Sequence, residues 1–281
     1  MTTRRTSLTR GEALHVQIAR QLRNDIAAGR LRDGTVLPSS KTLAAQWGVS
    51  VFTISEAMRL LAEEGLVVSE SRSKRTVHAP EQIRPEILRL GRKHVVLIGG
   101  YAGSGKSELS RILARETGWA MLDKDTLTRP VVERALEALD LSANDRESPV
   151  YLNEIRPREY EALSGATLEN LQCGNSVIAT APFIREFADA AWLKRTLDAF
   201  DGLNAGVTVV WVYCDTRTMH TYLRGRGAAR DAAKLADWTQ YLSGIDTDFR
   251  PAAPHVVVEN SISSEPLQMQ VKRLLDSVSD S

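Results

Sequence analysis

The stretch "GGYAGSGKSELS", residues 99–110, decides the fold of the larger part of this chain. Gly100, Gly105, Lys106 and Ser107 stand at the spacing G-x-x-x-x-G-K-[ST] of a phosphate-binding loop. The context that this loop requires is also present. "HVVLIGG" (94–100) reads as a short buried strand before it, and a helical pattern runs on through Glu116 after it. Gly100, Gly103 and Gly105, with Ser104 between them, let successive backbone N–H groups converge on phosphate oxygens. The N-terminus of the following helix adds a favourable dipole. Lys106 is placed to reach the β- and γ-phosphates of a nucleotide, and the Ser107 hydroxyl to hold Mg²⁺.

Downstream of the loop, strand and helix patterns alternate. "WAMLD" (119–123), "SVIATA" (176–181), "GVTVVWVYC" (206–214) and "HVVVEN" (255–260) read as strands. Helices are expected over 129–140 and 156–172, with Leu235, Trp238 and Leu242 marking another before the last strand. This alternation predicts an α/β fold, a parallel sheet with helices on both faces. Ligands of such sheets bind beyond the C-terminal strand ends. Asp123 and Asp125 in "MLDKDTL" fall there. Asp125 is the first choice for a base that takes a hydroxyl proton or holds the acceptor. Asp123 is the second choice, or a metal helper beside Ser107. "TYLRGRGAARDAAKL" gathers Arg224, Arg226 and Arg230 between glycines, as a mobile lid would, although a solvated helix face has similar composition. Asn260 follows the last strand, where loops of this fold class often meet the adenine ring; a plain turn is the alternative. The third strand ends in Thr180, where P-loop proteins commonly carry an acid, and Asp215 after the fourth strand reads as a helix cap.

Residues 94–281 resemble the P-loop small-molecule kinases grouped near the zeta toxins, gluconate kinases and chloramphenicol phosphotransferases. The resemblance rests on "GGYAGSGKS", "LDKDTL", "RGRGAARDAAKL" and "VVVENS". It implies ATP with Mg²⁺ as donor and a hydroxyl of a small metabolite as phosphate acceptor. Lys106, Asp125, Asp123, Arg226 and Arg230 would carry the transfer, with Arg224 and Asn260 on the nucleotide.

About a third of the chain precedes the loop. Leu14, Ile18, Leu22 and Ile26 lie four apart, one face of a helix. After Gly29, Gly34 and Pro38, Ser39 or Ser40 can cap a short helix, "KTLAAQW". Gly48 turns the chain, and Ser50 caps a second helix in which Ile54, Ala57, Met58 and Leu61 share one face, ending at Gly65. "LVVSESRSKRTVHAP" then reads as two short strands around a basic tip, Arg72, Lys74 and Arg75. The order is that of a winged helix-turn-helix. The spacing of "LPS", "LA", "GVS", Thr53 and "LAEEGLV" within residues 12–80 resembles the GntR family of bacterial transcription regulators.

The departures from that family concern the arginines. Ser40-Lys41 replaces an acidic residue followed by Arg, Val51 and Ser55 stand where the family has Arg, and Ser73 and Arg75 flank Lys74 in place of wing glycines. The residues expected to meet DNA are Ser39, Lys41, Phe52, Thr53, Ser55, Lys74 and Arg75. A winged helix kept only for assembly is the alternative.

Charge agrees with a division into residues 1–80, a linker at 81–93, and residues 94–281. Residues 1–80 hold 12 Lys and Arg against 7 Asp and Glu, whereas the remainder is mildly acidic. The sequence has no run of apolar residues long enough for a membrane span, and its basic start has no signal-peptide core, so a cytoplasmic protein is expected. Cys173 and Cys214 are too far apart for a metal pair and are expected to be buried free thiols.

The expectation is a regulator, a homodimer on a two-fold operator, whose kinase-like part binds ATP-Mg²⁺ and phosphorylates a small metabolite. A metabolic kinase with a non-DNA-binding N-terminal module, and a nucleotide sensor without transfer, are the alternatives.

Overall fold

The computed structural model describes residues 13–69, 74–79, 91–226 and 231–279. Helix α1 (Leu14–Ala27) opens the N-terminal module, followed by α2 (Ser40–Trp47) and α3 (Val51–Glu63). Ser39 is the cap of α2, accepting from the Thr42 amide, and Ser50 caps α3 through Thr53. Gly48, at φ 67°, makes the turn between them in a conformation that glycine adopts without strain. Ile18, Leu22 and Ile26 of α1 interlock with Ile54, Ala57, Met58 and Leu61 of α3. The wing is an antiparallel pair, β1 (Val67–Ser69) and β2 (Arg75–Val77). Arg75 therefore lies within a strand, not at the tip; Arg72 falls outside the described residues.

The second module is a five-stranded sheet of β3 (Lys93–Gly99), β4 (Ala120–Asp123), β5 (Val177–Thr180), β6 (Ala205–Tyr213) and β7 (Val256–Glu259). Its spatial order is β4-β5-β3-β6-β7, parallel throughout. Residues 81–90 of the expected linker lie outside the described residues, and β3 already begins at Lys93, inside the range read as linker.

Alternation along β3 makes two cores. Val96 and Ile98 face α4 (Lys106–Thr117) and α12 (Leu267–Ser279). Val95 and Leu97 face α6 (Arg156–Gln172), α7 (Ile184–Ala188) and α8 (Ala190–Asp201). On the second side Phe187 is fully buried, its ring stacked on Phe183 at 4.9 Å between centroids.

Three elements differ from the sequence reading. Helix α5 spans Lys124–Ala138 rather than starting at 129, because Asp123 caps it and Pro130 is accommodated inside it. The helix expected around Leu235 to Leu242 is two, α10 (Ala232–Ala236) and α11 (Trp238–Ser243), separated by Asp237, whose side chain caps the second. Cys214 is buried as expected, but Cys173 is exposed, since it closes α6 where the chain turns out of the core. The remaining helix, α9 (Thr216–Arg226), follows β6. Among the described residues no helix is long and apolar enough to cross a membrane.

His94 offers a test of the packing at the start of β3. Its ring stacks on Trp119, and its Nε2 pairs with the Thr208 hydroxyl at 2.9 Å. Burial, aided by the Arg92 charge, lowers its pKa to about 4. A depressed folded-state value means that the unfolded chain takes up a proton first as pH falls below about 6.5. Stability is thus expected to fall between about pH 6.5 and 4, by a total on the order of 3 kcal/mol. Chemical denaturation across that range, compared with His94→Gln, checks it: the variant should lack this part of the slope.

Candidate functional site

The phosphate loop leaves β3 at the centre of the sheet. Gly100, Gly103 and Gly105 have φ of 149°, 81° and 96°, the left-handed region that side chains strain to enter. Close packing reinforces the requirement. A Cβ on Gly105 would lie 2.1 Å from Asn260 Nδ2, and one on Gly103 would lie 2.9 Å from the Leu223 side chain of α9. The loop is thus wedged between α9 and the segment after β7. The Gly100 amide donates to Pro182 O at 3.1 Å, which ties it to the end of β5 as well.

Lys106 Nζ curls back over the loop and donates to Tyr101 O at 2.8 Å. Ser107 is exposed at the mouth, and its hydroxyl donates to Asp123 Oδ2 at 2.9 Å. The other Asp123 oxygen accepts from the Thr126 amide. Asp123 therefore caps α5 and also closes on the loop serine. In the sheet it lies directly opposite Thr180, and the Thr180 hydroxyl pairs with Ser110 at 2.5 Å. A carboxylate thus stands beside the strand end that lacks one. Ser107 and Asp123 offer the hard oxygen donors that suit Mg²⁺. Asp215 is a helix cap, accepting from the Thr218 amide and hydroxyl.

Asp125, in the first turn of α5, is half-exposed, with Lys124 Nζ 3.1 Å from its carboxylate. Lys124 is buried, and its other partner is buried Glu159, at 2.7 Å. Glu159 also accepts from the Thr128 hydroxyl at 2.8 Å and the Tyr151 hydroxyl at 2.7 Å. Tyr151 begins a π-helical turn, Tyr151–Ile155, just before α6. Such wide turns recur at functional sites. Burial and the Glu159 contact push the Tyr151 hydroxyl well above its ordinary pKa, with a contribution from the Asp125 charge. Tyr151 is therefore a neutral donor to Glu159.

Arg156 pairs with Glu186 at 2.8 Å and lies over the Tyr160 ring. The Tyr160 hydroxyl accepts from the Phe183 amide, where the chain passes through φ 51°. A bulky residue in that region is strained, and strain of this kind gathers at functional sites. The sequence marks 140–165 and the stretch around "APFIREF" as regions to line the acceptor pocket, but singles out none of Tyr151, Arg156, Glu159 and Glu186 within them. Only their polarity within otherwise amphipathic helices could have marked them.

Arg224 is exposed on α9; burial, aided by the Arg224 charge, lowers the pKa of His220. Arg226 ends that helix, and its side chain lies outside the described residues, as does the whole of Arg230. Asn260 is fully buried; its amide donates to Ser104 O at 3.0 Å, and its own N–H donates to Tyr213 O. Asn260 Oδ1 and Ser104 Oγ are buried with no hydrogen-bond partner among the described residues, polar capacity behind the phosphate cradle.

In the N-terminal module Lys41, Lys74 and Phe52 are exposed, Phe52 at 74%. Thr53 and Ser55 are half-buried on α3. Ser39 is engaged with Thr42, and Arg75 donates to Ser40 Oγ at 2.5 Å.

The fold and its loop define a kinase-like P-loop nucleotide-binding domain fused to a winged helix-turn-helix. The chain belongs to the AAA domain family, whose model matches residues 95–246, and residues 14–77 match the bacterial regulatory proteins of the gntR family. Among curated relatives, the mannosyl-D-glycerate transport/metabolism system repressor MngR of Escherichia coli is 39% identical over 56 residues, 20% of this chain and 23% of that one. Shikimate kinase of Moorella thermoacetica is 30% identical over 105 residues, 36% of this chain and 57% of the enzyme. Cytidylate kinase of Pseudomonas entomophila is 24% identical over 218 residues, 66% of this chain and 93% of the enzyme. The chain thus spans about a quarter of the repressor and just over half of the shikimate kinase. A solved structure from Chloroflexus aurantiacus, described as a candidate kinase, shares the fold with a TM-score of 0.50 at 15% identity, covering 67% of this chain and 97% of that one.

Proposed function

We propose that this protein is a DNA-binding regulator whose P-loop domain binds ATP-Mg²⁺ and phosphorylates a hydroxyl of a small metabolite. The Ser107–Asp123 hydrogen bond at the loop mouth, with Asp125 at the start of the next helix, is the observation that carries this reading. Gly100, Gly103, Ser104 and Gly105 would cradle the phosphates through the backbone. Lys106 would release Tyr101 O to meet the β- and γ-oxygens. Ser107 and Asp123 fit Mg²⁺, which would neutralise charge on the β- and γ-phosphates. Asp125 would take the acceptor proton as the acceptor oxygen bonds to the γ-phosphorus and the β–γ bridging bond breaks, releasing ADP. Lys124, itself held by Glu159, would hold that carboxylate in place. Arg224, Arg226 and Arg230 would close over the transferred group, and Asn260 would support the loop beside the adenine site. A screen of a cell metabolite extract for ATP-dependent products, read by mass against Lys106→Ala, tests the reading. No product lost in the variant would overturn it.

A nucleotide sensor is the second reading, favoured by Thr180, which is engaged with Ser110 and supplies no carboxylate to the metal.

For DNA, Ser39, Lys41, Lys74 and Arg75 would hold phosphates, while α3 enters the major groove with Phe52, Thr53 and Ser55 foremost, as a homodimer on a two-fold site in the cytoplasm. With Val51 and Phe52 exposed at the start of α3, apolar contact to thymine methyl groups would replace arginine readout of guanine. A duplex selected from a random pool should then bind several-fold more weakly when its thymines are exchanged for deoxyuridine, which lacks only the methyl. Phe52→Ala should remove most of that difference. A module kept only for assembly would select no sequence.

A further inference from the structure

Helix α1 is buried on two sides. One side is the apolar stripe against α3. The other is a polar stripe of Gln17, Arg20 and Asn24, at i, i+3 and i+7, continued by Ala28 at i+11, and all four are buried. Ala28 joins the core formed by α4, α12 and the sheet. Arg20 donates to the carbonyls of Ile262 and Glu265, in the segment that begins with Asn260. Asn24 accepts from Gln268 of α12 at 3.2 Å.

At the end of α1, Arg30 pairs with Asp25 at 2.7 Å and with Glu108. Gln21 donates to Glu108 at 3.4 Å. Glu108 is the residue directly after Ser107, in the first turn of α4. Burial by itself would lower the Arg30 pKa; the charges of Glu108 and Asp25 outweigh it and hold it raised. Tyr222 of α9 borders the same junction: burial raises its hydroxyl, with Glu108 adding and Arg20 opposing.

We infer that α1 is a working part of the nucleotide site, with Arg20 and Arg30 as positioning residues that link nucleotide binding to DNA binding. Arg30 and Gln21 fix Glu108 and with it the first turn of the loop helix. Arg20 fixes the segment whose Asn260 braces the loop at Ser104. A phosphate group seated on the loop acts on Glu108 and Asn260 together. Both lead to α1, and α1 carries α3 through its packed face and through Arg23, which donates to Glu64. Linkage requires that the two ligands alter each other's affinity by the same factor.

The inference rests on nucleotide and DNA binding by one chain and not on transfer, so it is tested with a non-hydrolysable ATP analogue. The full chain and a duplex that it selects from a random pool are used at fixed salt. The duplex affinity is expected to change at least about five-fold at saturating analogue, and the analogue affinity to change by the same factor when duplex is saturating. Arg30→Ala and, from the opposite side, Glu108→Gln should each reduce the factor toward one while the duplex affinity without nucleotide is kept; Arg30→Lys should restore part of it. Arg20→Ala should also weaken analogue binding, through Asn260. An unchanged factor in Arg30→Ala and Glu108→Gln, or no factor in the parent chain, would overturn the inference.

Discussion

Lys106→Ala is expected to lower phosphoryl transfer by at least about 10²–10³ in kcat, the loss found when one preorganised donor to a transition state is removed. Nucleotide binding should weaken in the same variant, because this ammonium is the one that the loop folds back over itself. The fold should survive. The loop is held by the Gly100 amide on Pro182 and by Asn260 on Ser104, neither of which involves the lysine side chain. Turnover assays and calorimetric nucleotide titration check both effects. Asp125→Ala completes the test. A general base contributes about 10²–10⁴, so transfer should fall by that order with nucleotide affinity almost unchanged. A protein that only senses nucleotide would keep its affinity in Asp125→Ala and show no turnover to lose in the parent chain.

Glu159→Ala is expected to have the largest effect on stability. Its carboxylate accepts from Lys124, Thr128 and Tyr151, and Glu159 and Lys124 are both buried. Removing one member of a buried ion pair commonly costs about 3–5 kcal/mol, since the other charge is left in the interior. The Lys124 contact with Asp125 remains, which places the expected cost near ~3 kcal/mol. A melting-temperature decrease on the order of 10 °C should accompany it. Glu159→Gln keeps one acceptor oxygen where the carboxylate offers Thr128 and Tyr151 one each, and should lose less than Glu159→Ala. Replacing the pair together, Lys124→Met with Glu159→Leu, should recover much of the stability while leaving Asp125 without its cation. That double variant separates the structural role of the cluster from its effect on turnover.

The phosphate loop could be read from sequence because its requirement is local. Glycines at fixed spacing allow positive φ, and a strand and a helix flank them, so neighbouring residues carry the whole signal. The winged helix was legible for the same reason, through its caps Ser39 and Ser50 and the apolar faces of α1 and α3. Boundaries shifted where a side chain made the decision. Asp123 started α5 early, ahead of Pro130, and Asp237 divided the helix expected around Trp238.

The site beyond the loop was less legible. Asp123 and Asp125 could be placed at the sheet edge, but their division of labour depends on partners far away in the chain. Asp123 meets Ser107, and Asp125 meets a lysine that is itself held by Glu159, 35 residues on. Arg156 and Glu186 had no motif at all.

The sequence by itself determined two modules, their order, and a loop built for phosphate, because each follows from the conformational needs of adjacent residues. Only the tertiary structure decided how the modules meet. Gln17, Arg20, Asn24 and Arg30 lie off the apolar face of Leu14, Ile18, Leu22 and Ile26, and no motif marks them. They become an interface because α1 packs between α3 on one side and α4 with α12 on the other. Arg30 then faces Glu108 across 78 residues of sequence, and Asn260 reaches Ser104 across 156. No local pattern encodes such pairings, since they exist only once two cores have been packed against the same helix.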